Sequence, residues 1–169
     1  MKLKDIITDA ANLYGIDAPE GSTNWTMLFR CANIAVTNVA CNYRDCIAEQ
    51  TFDVSDSIIE YTEFNKTFLK VKSVKSGGRE VNYDIYMNFL SVPNGRITVK
   101  YAFVPKFTSG DDDIEGIIGG ILTESALLYG ILAEYASICG VIEDANLYEE
   151  KFQSLLFGTK MNGKARVIA

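Results

Sequence analysis

The chain has 169 residues, of which 48% are hydrophobic and 22% are charged. This composition is typical of a folded domain with a real core, and it excludes a chain that is disordered over most of its length. The formal net charge of −6 argues against a general nucleic-acid binder, which is usually basic overall.

Two helices are predicted at the start of the chain. Apolar residues recur at spacings of three and four from Leu3 to Tyr14, and Gly15 is placed to end the helix. A second helical pattern follows the capping side chains of residues 22–24 and continues to about Asn42. Its apolar residues extend almost all round, which indicates a helix that is buried on more than one side.

Residues 46–107 show the alternation of β-strands, interrupted by turn signals at residues 76–79 and 92–96. We therefore predict a small antiparallel meander with one apolar face and one lysine-bearing face. Lys70 and Lys72 fall on the same face because side chains alternate with a period of two. These lysines either contact a neighbouring subunit or nucleic acid, or keep an edge strand from aggregating.

A helical hairpin is predicted near the end of the chain. The acidic residues 111–113 precede it, and they complement a helix dipole better than they form a Ca²⁺ or Mg²⁺ site, because the further ligands of an EF-hand are missing. One helix runs from about Leu122 to Cys139, Gly140 ends it, and a second helix occupies residues 142–156.

Together these patterns predict an α+β fold. Its main body is an antiparallel four-helix bundle of residues 1–45 and 108–158, into which the β-meander of residues 46–107 is inserted. Residues 159–169 follow as an extended C-terminal arm that is basic and has an apolar end. Such an arm can become ordered when it binds a partner.

No catalytic, cofactor or metal site is predicted. The chain has no histidine, which excludes Ser-His-Asp and Cys-His catalysis, and its four cysteines include no CxxC pair that would indicate zinc. The cysteines are expected to be reduced, as in a protein that folds in the cytosol. Glu124 and Glu134 are ten residues apart, on one side of a helix. They border a channel or a subunit interface, or they belong to a solvated face.

Charge is segregated along the chain. Residues 1–60 contain four basic and nine acidic side chains, and residues 61–106 contain eight and three. Residues 107–158 contain one and ten, and residues 159–169 contain three and none. This pattern indicates electrostatic complementarity between copies of the chain or with a partner, or else solvated faces that differ in charge.

The sequence resembles one family over nearly its whole length, the head–tail connector adaptor proteins of tailed bacteriophages. The C-terminal hairpin LTESALLYGILAEYASICGVIEDANLYEEKFQSLL carries most of the resemblance, through residues 127–135, the break at Gly140 and residues 146–152. Residues 2–7 and 99–105 are also similar. The family includes the tail tubular protein A of short-tailed phages and the head-completion adaptors of long-tailed phages.

The resemblance implies a structural virion protein rather than an enzyme. Such adaptors form a ring, usually of twelve copies, between the portal protein and the tail or neck, and DNA passes through the central channel without sequence recognition. The protein would fold in the host cytoplasm and reside at the head–tail junction of the virion. Acidic channel walls would repel the DNA backbone. No cofactor is implied.

The resemblance also implies contact residues. The β block would face a neighbouring subunit or the next tail protein, with Lys70, Lys72 and Lys75 as candidates. The arm would engage the portal protein. Its candidate contacts are Lys160, Lys164, Arg166, Val167 and Ile168.

Three other functions are compatible with the same sequence. The first is a small soluble α+β domain that binds a ligand or acts as an enzyme. The second is a DNA-binding regulator, against which the acidic composition argues. The third is a tail-terminator or neck stopper protein, although those are β-dominated whereas this chain is helical at both ends. No membrane span is expected, since long uncharged apolar stretches are missing.

Overall fold

The computed structural model of the protein describes residues 1–118 and 120–158, which contain five α-helices, seven β-strands and one 3-10 turn. The helices are α1 Leu3–Tyr14, α2 Thr23–Asn42, α3 Ile114–Ile118, α4 Glu124–Ile138 and α5 Ile142–Phe157. The strands are β1 Cys46–Val54, β2 Ile58–Glu60, β3 Phe68–Ser76, β4 Arg79–Glu80, β5 Asp84–Ile85, β6 Phe89–Ser91 and β7 Gly95–Phe103. The 3-10 turn is Tyr61–Glu63.

The chain divides into two compact units. A helical unit consists of Met1–Val39 together with the chain from Lys106 on, and a β unit consists of Ala40–Pro105. We predicted these boundaries after residues 45 and 107.

Helix α4 lies at the centre of the helical unit because it is apolar on nearly every side. Gly130, in its middle, lets α2 and α5 approach closely. A Cβ atom added at Gly130 would lie 3.1 Å from the Cβ of Ala35 on α2 and 3.2 Å from the ring of Phe152 on α5. Helix α1 also packs on α4, where the rings of Tyr14 and Tyr135 meet edge to face at 5.0 Å between centroids.

Asn33 on α2 holds the backbone at Phe107. The Phe107 N–H donates to Oδ1 of Asn33 at 2.8 Å, and Nδ2 of Asn33 donates to the Phe107 carbonyl oxygen at 3.2 Å. Phe107 is fully buried, so its backbone groups need protein partners. One amide side chain therefore satisfies both backbone groups of this residue.

The β unit contains two antiparallel sheets. The four-stranded sheet has the order β1-β7-β3-β4 and the three-stranded sheet has the order β2-β6-β5. The apolar face of the larger sheet is covered by Phe64, which follows the 3-10 turn. The Phe64 ring lies 4.6 to 5.0 Å between centroids from the rings of Tyr101, Phe68 and Phe52.

The prediction of an antiparallel four-helix bundle is wrong, although the mixture of helices and antiparallel strands agrees with the α+β class. Residues 114–118 form an additional helix, α3, whose Ile114 and Ile118 are buried despite the neighbouring glycines. The remaining helices are not four equivalent helices around a common core. Because α4 is apolar all round, it is enclosed, with α1, α2 and α5 packed on it.

The prediction of a single meander is also wrong. β7 lies between β1 and β3, so neighbours in the larger sheet are distant in the sequence. Residues 92–94 lead from one sheet to the other instead of closing a hairpin. The Asn94 side chain ties this segment to the loop before β2, because its Oδ1 accepts hydrogen bonds from the N–H of Ser57 at 2.7 Å and from the Ser57 hydroxyl at 3.0 Å.

The hairpin predicted at residues 76–79 is confirmed. Ser76 pairs with Arg79, and the two residues between them have positive φ values of 55° and 80°, as a primed turn requires. None of the helices in the described part of the chain combines the length and the apolar character needed to cross a membrane.

Candidate interaction surfaces

Lys70 and Lys72 on β3 share one partner, the carboxylate of Asp45. Nζ of Lys70 is 2.8 Å from Oδ1 of Asp45, and Nζ of Lys72 pairs with Oδ2. Hydrogen bonds from Lys70 and then Lys72 hold the pKa of Asp45 below its usual value, against a smaller opposing effect of burial. One carboxylate thus compensates one of two positive charges.

The outer face of the four-stranded sheet carries charges of both signs. Lys75 on β3 lies opposite Glu80 on β4, and Lys100 on β7 lies opposite Glu49 on β1. Directly opposed residues on neighbouring strands point to the same side and attract when their charges differ. The lysine-bearing face is therefore a mosaic of charge pairs, which suits a protein partner better than a phosphate backbone.

Glu124 and Glu134 lie in different environments on α4. Glu124 is exposed in the first turn, with its carboxylate 3.6 Å from the amino group of Met1. Glu134 is half-buried and accepts a hydrogen bond from Nδ2 of Asn38 at 3.1 Å. Burial and the nearby Glu149 carboxylate raise the pKa of Glu134, while the Asn38 bond acts against them. Ten residues of helix separate the two acids by about 15 Å along the axis, so they do not form one site.

The three acids at residues 111–113 have separate partners. Asp111 pairs with Lys4 at 2.7 Å and with Lys2 at 3.4 Å. The Asp112 carboxylate accepts hydrogen bonds from the backbone N–H groups of residues 108 and 109, and that of Asp113 accepts one from Gly116 N–H at 3.1 Å. These are capping and ion-pair contacts. Within residues 1–118 and 120–158 no group of three acidic, cysteine or histidine side chains is arranged to hold a metal ion.

All four cysteines are thiols, and they differ in access. Cys31 and Cys46 are buried, whereas Cys41 and Cys139 are exposed. Burial, with a contribution from the Glu134 carboxylate, raises the pKa of Cys31 to about 12. Cys31 is therefore unreactive at neutral pH.

The helical hairpin of α4 and α5 exposes several large apolar side chains. Ile142 is 71% exposed and Leu147 is 49% exposed. Others lie at the helix ends and along α5. They are Ile138, Val141, Leu155 and Phe157. Both helices of the hairpin thus leave large apolar side chains uncovered within the chain.

An open groove of about 410 Å³ lies on this hairpin. Its lining residues are Tyr129, Leu147, Glu150, Lys151, Ser154 and Leu155. Nζ of Lys151 lies 5.2 Å from the centroid of the Tyr129 ring, which places a cation over an aromatic face at one wall. The groove is thus apolar with one charge of each sign at its margin; we call it the α4–α5 groove.

A second apolar surface is the tip of the hairpin between β5 and β6. Ile85, Tyr86 and Met87 are 65%, 51% and 93% exposed. The backbone of this tip is anchored, because the hydroxyl of Tyr61 donates to the Tyr86 carbonyl oxygen at 2.6 Å and the Tyr86 N–H donates to the Phe89 carbonyl oxygen at 2.9 Å. We call residues 85–87 the apolar tip.

Sequence reasoning missed the apolar tip, although a signal was present. The sequence predicts only strand alternation over residues 46–107, with no exposed apolar segment between the turn signals at residues 76–79 and 92–96. Three consecutive large apolar residues break the alternation of a half-buried strand, because successive side chains point to opposite faces. At least one of them had to face solvent.

The arm contacts predicted from the resemblance lie outside the described residues. They are Lys160, Lys164, Arg166, Val167 and Ile168.

In comparisons with known proteins, no protein-family model and no curated protein matches this sequence.

Proposed function

We propose that this chain is a structural adaptor of a tailed bacteriophage, which assembles into a ring between the portal protein and the tail or neck of the virion. The ring would contain twelve copies, as in the proteins it resembles, and DNA would pass through its channel without sequence recognition. The resemblance of residues 122–156 to those adaptors suggested the proposal, and the surface of the same hairpin supports it.

The observation that carries the proposal is the outward apolar surface of α4 and α5. A free monomer gains nothing from exposing Ile142, Leu147 and Phe157, since each costs about 1 kcal/mol or more of hydrophobic free energy relative to burial. Burial of such a surface against another protein chain recovers that free energy. A protein built for assembly has a use for this surface.

Charge supports the proposal in a second way. Residues 107–158 contain ten acidic side chains and one basic one. An acidic lining would keep DNA from adhering to a channel wall. Of the two acids considered for this role, Glu124 is the better candidate, because it is exposed while Glu134 is half-buried and hydrogen-bonded to Asn38.

Mass photometry of the purified chain, alone and mixed with the portal protein encoded beside its gene, tests the proposal. We expect a large complex, near the mass of two stacked rings, to form in the mixture. A chain that stays separate from the portal protein at all ratios would refute the adaptor function and favour the ligand-binding or enzymatic alternative.

A charge-matched pair of variants tests the arm. Replacing Lys160, Lys164 and Arg166 with alanine should abolish portal binding if the arm docks there. The control replaces the exposed Arg79, Arg96 and Lys106 with alanine and removes the same charge at residues that are not proposed contacts. Equal loss of binding in both variants would show that only total charge matters and would remove the arm from the proposal.

A further inference from the structure

We propose that Asn94 is a site of self-modification, at which the folded chain promotes the conversion of its own asparagine to aspartate and isoaspartate. The nucleophile is the backbone nitrogen of Gly95, and Ser57 supplies the hydrogen bonds that activate the asparagine amide. The modification does not depend on the proposed ring, because every protein group that it uses lies within the β unit of one chain.

The reactive dipeptide is Asn94-Gly95, in the passage from the smaller sheet to β7. Attack by a backbone nitrogen on the side-chain amide of the preceding residue closes a succinimide ring, and it is least hindered where the attacking residue lacks a Cβ. Asn94 and Gly95 are both exposed. A Cβ added at Gly95 would meet no atom within 4 Å, and its φ of 121° belongs to a region that glycine adopts freely. Open space therefore surrounds the nucleophile.

Two donors from Ser57 converge on the amide oxygen of Asn94. The backbone N–H of Ser57 donates to Oδ1 at 2.7 Å, and the Ser57 hydroxyl donates to the same oxygen at 3.0 Å. Both donors withdraw electron density from Cγ, and both stabilise the negative charge that develops on Oδ1 when a nucleophile adds to Cγ. The two groups thus have the arrangement of an oxyanion hole.

Ser57 is held in place before the reaction. It is half-buried, and its carbonyl oxygen accepts a hydrogen bond from the Val92 N–H at 3.0 Å. With a φ of 63°, it is the one non-glycine residue among those the structure describes that has a positive φ. A conformation of this kind is costly for a residue with a Cβ and persists only where the surroundings fix it. The two donors are therefore aimed at Asn94 in advance and need no reorganisation during the reaction.

The leaving group of the amide faces water. Asn94 is exposed, and within residues 1–118 and 120–158 its Nδ2 donates no hydrogen bond. The protein thus holds the amide atom that gains charge and leaves to solvent the atom that departs.

The reaction balances with water as the only co-reactant. The Gly95 nitrogen loses its proton to hydroxide and bonds to Cγ of Asn94. The bond from Cγ to Nδ2 then breaks, and ammonia leaves with a proton taken from water. Water next adds to one of the two carbonyl carbons of the succinimide and opens the ring.

The two ring openings have different consequences for the fold. One gives aspartate, which keeps an oxygen acceptor for Ser57. The other gives isoaspartate, which adds a carbon atom to the main chain beside Gly95, where β7 begins in register with Val54. Ageing at Asn94 therefore disturbs the start of the strand that lies between β1 and β3.

Peptide mapping after incubation of the full chain in heavy-oxygen water at mildly alkaline pH measures the reaction, because each modified residue takes up a labelled oxygen atom. Ser57→Ala removes the hydroxyl donor and keeps the backbone N–H. We expect this variant to slow the modification of Asn94 about threefold or more in the native protein, as the loss of one hydrogen bond of ordinary strength implies. In guanidinium chloride the variant and the unsubstituted chain should react alike at Asn94.

The chain contains an internal reference and a second informative position. Asn162-Gly163 is the same dipeptide, outside the described residues, and its rate should not change with the substitution at position 57. Ser57→Gly also loses the hydroxyl but relieves the backbone strain, so it should slow the modification of Asn94 as Ser57→Ala does. Agreement between the two variants separates the effect of the hydroxyl from that of strain.

The sign of the change decides the proposal. If Asn94 reacts as fast or faster after both substitutions, Ser57 restrains the amide instead of activating it, and the proposal is wrong. Circular dichroism shows whether each variant is folded. Should both variants unfold, the unsubstituted chain decides alone: Asn94 must react about threefold faster or more in the native state than in guanidinium chloride, and a slower native reaction would overturn the inference.

Discussion

Replacing Asn33 with alanine tests how the helical unit holds the backbone at Phe107. The substitution removes the acceptor of the Phe107 N–H and the donor to the Phe107 carbonyl oxygen, which lie at 2.8 and 3.2 Å from the Asn33 amide. Phe107 itself is fully buried. Both of its backbone groups would then lack their partner in the protein.

The magnitude follows from the cost of unpaired buried groups. Each one costs about 1 to 3 kcal/mol, so the two together should lower the free energy of unfolding by about 2 to 6 kcal/mol. Since Asn33 is itself only half-buried, water can partly replace its amide, and we expect a value near the lower end. Replacing Asn33 with aspartate should also destabilise, because the carboxylate keeps an acceptor for the N–H but has no donor for the carbonyl.

Urea unfolding monitored by the fluorescence of Trp25, the single tryptophan, measures the effect within the helical unit. The matched control is Asn38→Ala on the same helix, whose side chain makes one exposed hydrogen bond to Glu134. The control should change stability by about 0.5 kcal/mol or less. If Asn33→Ala unfolds at the same urea concentration as Asn38→Ala, the reasoning about Phe107 is wrong.

Three further substitutions test packing and charge. Gly130→Leu should destabilise by about 1 to 3 kcal/mol, because even a Cβ there would lie 3.2 Å from the Phe152 ring; an unchanged melting temperature would contradict this packing. Asp45→Asn should cost about 1 kcal/mol or less at pH 7. Since its two lysine partners lower the pKa of Asp45 in the folded state, the stability they confer is present above the unfolded pKa and is lost on acidification. The difference between the urea midpoints of wild type and variant should therefore begin to shrink as the pH falls below about 4, the pKa of an unperturbed aspartate, and a difference that does not shrink on further acidification would refute the ion pairs. Glu134→Gln should instead stabilise at pH 7, because the folded pKa of Glu134 is raised and its ionisation opposes folding as the pH rises through that value. That advantage should vanish below about pH 4, where the carboxyl is protonated in both states, and a variant no more stable than wild type at pH 7 would show that the burial of Glu134 is unimportant.

Local signals in the sequence determined the ends of the main helices. Gly15 and Gly140 adopt φ values of 77° and 76°, a region that costs glycine little, and both follow helices where predicted. Ser22 accepts a hydrogen bond from the N–H of Trp25 at 3.1 Å, as an N-terminal cap should. These features depend on a few neighbouring residues, so they can be read from the sequence.

The arrangement of strands depended on contacts that no local pattern contains. Alternation located β1, β3 and β7, but it carries no information on which strand pairs with which. The placement of β7 between β1 and β3 joins residues such as Phe68 and Phe103, which are far apart in the chain. A turn signal at Asn94 therefore suggested a hairpin where the tertiary structure makes a passage between sheets.

The candidate surfaces divide in the same way. The two-residue period of a β-strand was sufficient to place Lys70 and Lys72 on the same face. The composition was sufficient to exclude catalysis by histidine. Only the tertiary structure decided that both lysines meet Asp45, that Glu134 is half-buried beside Asn38 while Glu124 is exposed, and that Met87 faces solvent. Sequence determines which side chains are available and how each segment alternates, whereas partners and exposure are decided by segments that meet only when the chain folds.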